Sequence, residues 1–300
     1  MNMRLQSALE YLTTYSWVLL VIAVALIVLF NMGLFNGNLL SPKALPGSCQ
    51  VVRPSGLEVT QQPSLLGSCN GEMPKYVASF NHADSYMKTS AGDPFSGAGG
   101  FTVTGWVYLY GGTLGGPCEG GILGNWNGAS LGFQINAYSC QGKIAYISGC
   151  CTASTTVSFP PGASSTSLPY GKWVFFAVAY NSANGAALSD LNNQFSAQSL
   201  TSGLTFGSSS SYYIGSYAPN PGFGVNGMLS NVQLYNTSLS ENALGTIYNR
   251  GIGGAPIDLY SLVGWWPVNG DANDYSGNSN EATASNVVYN SNWYAAYSQP

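Results

Sequence analysis

Charged side chains are scarce in this sequence: Asp, Glu, Lys and Arg make up 7% of its 300 residues, against roughly 25% in ordinary soluble domains. Eight Lys and Arg residues and a net charge of −4 leave no basic patch, which argues against nucleic acid as a partner. The chain instead has 38 glycines and 20 tyrosines, with abundant Ser, Thr and Asn. A surface hydrated by hydroxyls and amides suits an exposed extracellular protein better than a cytosolic enzyme.

Zinc-binding motifs are missing as well. The only histidine is His82 and no C-x-x-C pair occurs, so we expect no zinc site. The cysteines form an even set of six: Cys49, Cys69, Cys118, Cys140, Cys150 and Cys151. On an exported chain, this favours disulfides formed outside the cytoplasm. A local Cys49–Cys69 bridge is one expectation, and the pairing of the other four stays open.

One long apolar run stands near the N-terminus. No charge occurs from Trp17 to Phe30, and the 25 residues from Tyr11 to Phe35 span about 37 Å as a helix, at ~1.5 Å per residue. That length crosses a bilayer and exceeds the ~7–15 apolar residues of a secretory signal peptide. We predict a hydrophobic helix over residues 6–35, and Arg4 favours an N-terminus on the inner side of the membrane.

The stretch Gln6-Ser7-Ala8-Leu9-Glu10-Tyr11-Leu12, followed at once by the apolar run, resembles the start of archaeal type IV pilin-like proteins with class III signal peptides. The resemblance implies that residues 1–5 are a leader removed between Leu5 and Gln6. It also implies that the helix joins copies of itself in a filament core after a stage in the cytoplasmic membrane. The freed amine of Gln6 would then neutralise Glu10 of a neighbouring subunit. The alternative is a single-pass anchor that does not polymerise, with Glu10 at the lipid headgroups.

The rest of the chain has the pattern of a β protein. Residues 36–74 are rich in Pro, Gly and Ser and contain two cysteines, which predicts a disulfide-stapled linker. In "FTVTGWVYLY" (101–110), alternate residues change face, and "KWVFFAVAY" (172–180) is apolar on both faces, as in a covered central strand. Short strands separated by Gly, Asn and Ser predict a two-sheet antiparallel sandwich. One helical insertion is expected after Ser240 as N-cap, with Glu241 in its first turn and Gly251 at its end.

This body resembles the laminin-G-like, concanavalin A-like jelly-roll family. The resemblance rests on "YVASFNHADSYMKT", "FTVTGWV", "GKWVFFAVAYN", "GMLSNVQLYNTSLSENALGTIYNRG" and "GWWPVNGDANDYSGNSNEA". In this family the W-P-x-x-G…D-x-S-G-N element often opens the domain, whereas here it closes the sequence. We predict a single jelly-roll domain over residues 75–300 in which this segment supplies a closing strand, because roughly 35 residues cannot bury a core alone. A truncated second copy beginning near Leu262 is the alternative.

The jelly-roll family includes glucanases, so catalysis has to be considered. Glycoside hydrolysis needs two carboxyl groups about 5–10 Å apart, and in this fold they usually come from an E-x-D-x-E run. None occurs among the 12 acidic residues. A single histidine forms no readable Ser/His/Asp set, and there is no G-x-S-x-G motif. We therefore expect a protein that is not an enzyme.

Three candidate sites remain. "NGDANDYSGNSN" (269–280) offers hard oxygen ligands. Asp271 is a candidate Ca²⁺ ligand by its chemistry, and the resemblance adds Asn273 and Asp274; a loop closed by its own side-chain-to-backbone bonds is the alternative. Sugar binding would use aromatic rings, for which Trp126, Tyr138 and Trp293 are the candidates, while the other tryptophans in strand patterns are expected in the core. Asn236 begins the one N-x-S/T sequon and is a candidate glycosylation site.

Together these observations predict a structural subunit of an extracellular, archaeal pilus-like filament. Its helix would lie in the filament core, and its lectin-like domain would be displayed on the cell surface and contact carbohydrate. The same outer domain on a membrane anchor, without polymerisation, is the alternative, and a glucanase is disfavoured.

Overall fold

The computed structural model of the chain describes residues 15–18, 20–27, 73–90, 99–110, 119–125, 133–138, 143–149, 156–159, 169–199, 211–217 and 222–300. From residue 73 onward these contain one α-helix, α1 (Glu241–Asn249), and fifteen strands. In chain order the strands are β1 (Val77–Asn81), β2 (Tyr86–Thr89), β3 (Gly100–Leu109), β4 (Glu119–Gly124), β5 (Phe133–Tyr138), β6 (Lys143–Gly149), β7 (Thr156–Phe159), β8 (Trp173–Asn181), β9 (Ala186–Leu191), β10 (Gln194–Ser199), β11 (Tyr213–Ile214), β12 (Asn226–Tyr235), β13 (Leu262–Trp266), β14 (Ala282–Ser285) and β15 (Val288–Asn290).

The strands form two sheets. The first has the order β10-β9-β8-β3-β12-β1-β15, with β13 also paired to β12, and the second has the order β14-β2-β11-β4-β5-β6-β7. Every pairing between these strands is antiparallel. The predicted antiparallel sandwich is confirmed.

Strands β3 and β8 lie at the centre of the first sheet and are buried on both faces. Phe101, Val103, Val107 and Leu109 of β3 pack into the core between the two sheets, whereas Trp106 faces the opposite side. The predicted alternation of β3 is therefore confirmed. Strand β8 behaves in the same way, because its even-numbered residues join the core between the sheets and its odd-numbered residues join a second apolar cluster.

The second cluster, which we call the outer cluster, lies on the face of the first sheet that points away from the second sheet. Helix α1 covers part of this face with Leu244 and Ile247. The helix begins as predicted, since the Ser240 hydroxyl accepts a hydrogen bond from the backbone N–H of Ala243 at 3.3 Å. Its last residue is Asn249 and Arg250 is the C-cap; the predicted stop, Gly251, follows with a φ of 77°, the left-handed conformation that glycine adopts without strain.

The C-terminal segment contributes strands to both sheets. Strand β13 pairs with the second half of β12, β14 pairs with β2 at the edge of the second sheet, and β15 pairs with β1 at the edge of the first. The segment from residue 262 therefore takes part in the same two sheets as the strands that precede it.

The chain divides into two units, residues 1–43 and 44–300. In the first unit, residues 15–18 and 20–27 are helical. The predicted helix was longer, and the rest of its span over residues 6–35 lies outside the described residues. Within the described part of the chain, no helix has both the length and the apolar character needed to cross a membrane.

Candidate functional site

Beside the outer cluster, some described residues on the outer face of the first sheet remain partly exposed. A row of residues from five neighbouring strands crosses it: Val288, Ser79, Met228, Tyr108 and Trp173, in the order β15, β1, β12, β3 and β8. At about 4.8 Å between strands, the row is about 19 Å long. Trp173 and Met228 are buried, whereas Tyr108 is partly exposed and Val288 is exposed.

Two tyrosines give this region an aromatic surface. Tyr110 lies two residues beyond Tyr108 on the same side of the chain, and the two rings meet edge to face, with centroids 5.6 Å apart. Tyr108 in turn contacts the buried ring of Trp173 at 5.8 Å. Because its neighbours hold it, the tyrosine pair forms a rigid, partly exposed aromatic surface.

Polar groups flank these rings. The Tyr110 hydroxyl and the Ser79 hydroxyl lie 3.0 Å apart and share a hydrogen bond. The backbone N–H of Tyr110 donates to the carbonyl of Asn226 at 3.0 Å, and Asn226 is itself partly exposed. We call this region the tyrosine face and define it as Ser79, Tyr108, Tyr110, Asn226 and Val288. It combines flat apolar rings with neutral hydroxyl and amide groups.

A similar ring pair on the second sheet is more covered. Tyr86 and Tyr213 also meet edge to face at 5.6 Å, but Tyr213 is only 9% exposed. Burial raises the pKa of Tyr213, and the neighbouring Tyr86 adds to the rise. Tyr86 and Tyr213 therefore make a natural control for the tyrosine face.

The Asp271–Asn280 loop is organised by its own side chains. The Asp274 carboxylate accepts four hydrogen bonds: one oxygen from the N–H groups of Trp265 (2.9 Å) and Ser276 (2.8 Å), the other from the Ser276 hydroxyl (2.8 Å) and the Asn280 N–H (2.9 Å). Asp271 accepts from the N–H of Asn273 at 3.1 Å and from the Tyr275 hydroxyl at 2.9 Å. Burial and the bond to Asp271 raise the pKa of Tyr275 to about 12.

These contacts account for the loop by hydrogen bonding alone. Asp274 is buried and both of its oxygens are occupied, while Asn273 is exposed. Among the residues that the structure describes, no group of three His, Cys, Asp or Glu side chains is placed to hold a metal ion. Calcium at Asp271, Asn273 and Asp274 stays a prediction, and the alternative of a self-capped loop agrees with the geometry.

The aromatic candidates have different outcomes. Trp293 is only 2% exposed, because its ring packs against Trp173 at 5.7 Å and Tyr297 at 6.0 Å. This corrects the prediction that its ring is available to a sugar. Trp126 lies outside the described residues, and Tyr138 is the last residue of β5. The expectation that Trp106, Trp173, Trp265 and Trp266 are buried is confirmed.

Of the other predicted sites, only Asn236 lies within the described residues. Asn236 is exposed and directly follows β12. Leu5, Gln6, Glu10 and all six cysteines lie outside the described residues, so their predicted roles stay predictions.

The residues of the tyrosine face were missed as a site by sequence reasoning. Alternation in "FTVTGWVYLY" places Tyr108 and Tyr110 on the face away from the inter-sheet core. What it could not indicate is that α1 and the C-terminal segment cover Trp106 while leaving Tyr108 and Tyr110 partly open. That depends on contacts between residues far apart in sequence.

Comparisons with known proteins agree on the fold. A model of the concanavalin A-like lectin/glucanases superfamily matches residues 81–244, and no curated protein sequence matches the chain. A proposed carbohydrate-binding protein from Bacteroides ovatus ATCC 8483 is similar, with a TM-score of 0.51, 14% identity and coverage of 73% of this chain and 61% of that one. A heptameric SAP-like pentraxin from Limulus polyphemus has a TM-score of 0.51, 12% identity and coverage of 75% and 96%.

Proposed function

Because the chain belongs to the concanavalin A-like lectin/glucanases superfamily, we propose that its β domain binds carbohydrate without cleaving it and does so at the tyrosine face. The observation that carries this proposal is the partly exposed, edge-to-face pair of Tyr108 and Tyr110. A protein of Bacteroides ovatus with a similar fold is described as carbohydrate binding, which supports the same class of ligand here.

The chemistry of the face suits a sugar. The rings of Tyr108 and Tyr110 can pack against the C–H groups of a pyranose, and the neighbouring Ser79 hydroxyl and Asn226 amide can exchange hydrogen bonds with its hydroxyls. The tyrosine face spans the four strands from β15 to β3, which at about 4.8 Å between neighbouring strands is about 14 Å and suits a short oligosaccharide. All five residues of the tyrosine face are uncharged, so we propose a neutral glycan.

Catalysis is not part of the proposal. A glycosidase needs an acid and a second carboxylate within about 10 Å of each other, and the tyrosine face itself contains no Asp or Glu. Of the close acidic pair Asp271 and Asp274, the second is buried with both oxygens occupied. Binding alone is the simpler function for this arrangement.

The binding test uses the full protein on a glycan array, with and without a calcium chelator. Tyr110→Ala should weaken binding at least about tenfold, which is ~1.4 kcal/mol, and Tyr110→Phe should retain most of it because the ring remains. Tyr86→Ala removes a ring from the matched pair on the second sheet and should leave binding unchanged. Loss of binding in Tyr86→Ala but not in Tyr110→Ala would overturn the site, and absence of binding to any glycan would overturn the function.

We also propose that the N-terminal helix assembles with copies of itself in a surface filament, after a stage in the cytoplasmic membrane. The described helical residues are apolar all round, and Trp17, Val21 and Ile27 are 70%, 59% and 59% exposed. Such a helix is stable only when other helices or lipid cover it on every side. The "QSALEYL" start supports the filament, because a subunit processed at Gln6 brings an amine that can neutralise Glu10 of its neighbour.

Processing and assembly test this second part. Mass spectrometry of the native protein should find Gln6 as its first residue, and electron microscopy should find filaments made of this chain. Glu10→Ala should reduce filament yield while membrane insertion persists. Glu58→Ala removes a glutamate outside the helix predicted for residues 6–35 and should leave filament yield unchanged. An intact Met1 in the mature protein and solitary molecules in lipid would favour a simple membrane anchor instead.

A further inference from the structure

The most exposed large aromatic side chain in the described part of the β domain lies next to the sequon. Tyr260 is 71% exposed and belongs to the turn that leads into β13. The backbone N–H of Asn236 donates to the carbonyl of Ser261, the next residue after Tyr260, at 2.8 Å. Because neighbouring strands are about 4.8 Å apart, the backbones of Asn236 and Tyr260 are close to each other.

Both segments are held in place. On one side, the Asp258 carboxylate accepts hydrogen bonds from the Tyr260 N–H at 3.2 Å and from the Ser261 hydroxyl at 2.6 Å. On the other, the buried Thr102 hydroxyl donates to the carbonyl of Thr237 at 2.7 Å and accepts from the N–H of Leu239 at 2.9 Å. An exposed asparagine and an exposed tyrosine thus lie on adjacent backbone segments, and hydrogen bonds hold both segments.

We propose that Asn236 carries an N-linked glycan and that the first sugar of this glycan packs on the ring of Tyr260. The donor is a glycan carried on a polyprenyl phosphate. The amide nitrogen of Asn236 forms a bond to the anomeric carbon of the first sugar. The bond between that carbon and the phosphate oxygen breaks, and its electron pair stays with the phosphate. A base of the transferase takes the amide proton. The proposal depends on the export that is part of the proposed function.

The position is compatible with sugar binding elsewhere on the domain. Asn236 follows the last residue of β12, whereas Asn226 of the tyrosine face is its first. Over the length of this strand, at about 3.3 Å per residue, the two sites are roughly 30 Å apart. A glycan on Asn236 therefore leaves the tyrosine face open.

Glycopeptide analysis of protein purified from its own cells tests the modification. The peptide that contains Asn236 should carry a glycan, and both Asn236→Gln and Ser238→Ala should abolish it. An unmodified Asn236 in protein recovered from the cell surface would overturn the proposal while leaving the proposed function standing. Conversely, protein made without glycosylation should bind the glycan array as the native protein does, because the tyrosine face is remote.

A thermal cycle tests the role of Tyr260. In natively produced protein, Asn236→Gln should lower Tm by about 2–4 °C, and in the Tyr260→Ala background it should have no effect. In protein from a host that does not glycosylate, Asn236→Gln should leave Tm unchanged in both backgrounds. An equal Tm decrease with and without Tyr260 would show that the sugar does not pack on this ring.

Discussion

Replacing Asp190 with asparagine should stabilise the protein above pH 7 and leave its stability nearly unchanged below pH 4. Asp190 lies on β9 opposite Ala177 of β8 and Phe195 of β10. Its side chain is 0% exposed, and neither carboxylate oxygen makes a well-formed hydrogen bond. A buried carboxylate without good partners is costly to ionise.

The environment of Asp190 sets its pKa. The pKa of Asp190 is raised from 3.8 to about 7, mainly by burial; the backbone N–H groups of Asn193 and Gln194 oppose the rise, and the carboxylate of Glu241 on α1 adds to it. On the same helix, burial raises the pKa of Tyr248, and the negative charge of Asp190 adds to that rise. The groups that face Asp190 therefore favour its neutral form.

The sign and size of the effect follow from linkage. Since the pKa is higher in the folded state, the folded protein binds more protons between about pH 4 and pH 7, and its stability falls as the pH rises through this window. A rise of the pKa from 3.8 to about 7 corresponds to roughly 4 kcal/mol, all of it lost above pH 7. Asp190→Asn keeps the shape of the side chain and removes the charge, so it should recover about 2–4 kcal/mol at pH 8.

Urea unfolding of the full chain between pH 3.5 and pH 8 measures this directly. Asp84→Asn is the matched control, because it makes the same chemical change at an exposed aspartate. If Asp190→Asn unfolds with the same pH dependence as the wild type, or is destabilised at every pH, Asp190 is not a buried carboxylate of raised pKa.

Three further substitutions probe the packing of the domain. Asn231→Ala should lower the free energy of unfolding by about 2–4 kcal/mol, because the Asn231 side chain accepts a hydrogen bond from the Trp265 indole at 2.7 Å and donates one to the Gly254 carbonyl at 2.8 Å. Urea unfolding measures this, with the exposed Asn273→Ala as control. Gly215→Ala should prevent folding or lower Tm by more than 5 °C, which is roughly 2 kcal/mol. The φ of Gly215 is 79°, and an added Cβ would lie 2.0 Å from the Phe80 ring. An unchanged Tm would contradict this geometry. Asp274→Ala should destabilise the protein equally with calcium and with chelator if hydrogen bonds alone hold the loop, whereas a calcium-dependent Tm of the wild type would restore the predicted metal site.

The features predicted well from sequence are those with local causes. Alternating residues fix the two faces of β3, the unbroken apolar run predicts that β8 is covered on both sides, and Ser240 with Gly251 marks the ends of α1. Each of these features depends on a few neighbouring residues, and the sequence alone shows their hydrophobic periodicity or their capping side chains.

The features that were missed have causes distant in sequence. Trp293 follows a stretch rich in Ser and Asn, which indicates an exposed loop, yet it is buried because the C-terminal segment folds back onto Trp173. Asp190 precedes an Asn-Asn turn and has the sequence context of a surface residue, but it faces α1, which is contributed more than 50 residues later. Periodicity identifies the face of a strand and not the element that will cover it.

The most direct test of sugar binding at the tyrosine face is to locate a bound sugar. Protein labelled at its tyrosine rings is titrated with the best glycan from the array, and ring chemical shifts are followed by NMR. We predict saturable changes in the ring shifts of Tyr108 and Tyr110, while the ring shifts of Tyr86 and Tyr213 stay unchanged. Shifts confined to Tyr86 and Tyr213, or none at any ring while the glycan binds, would contradict it.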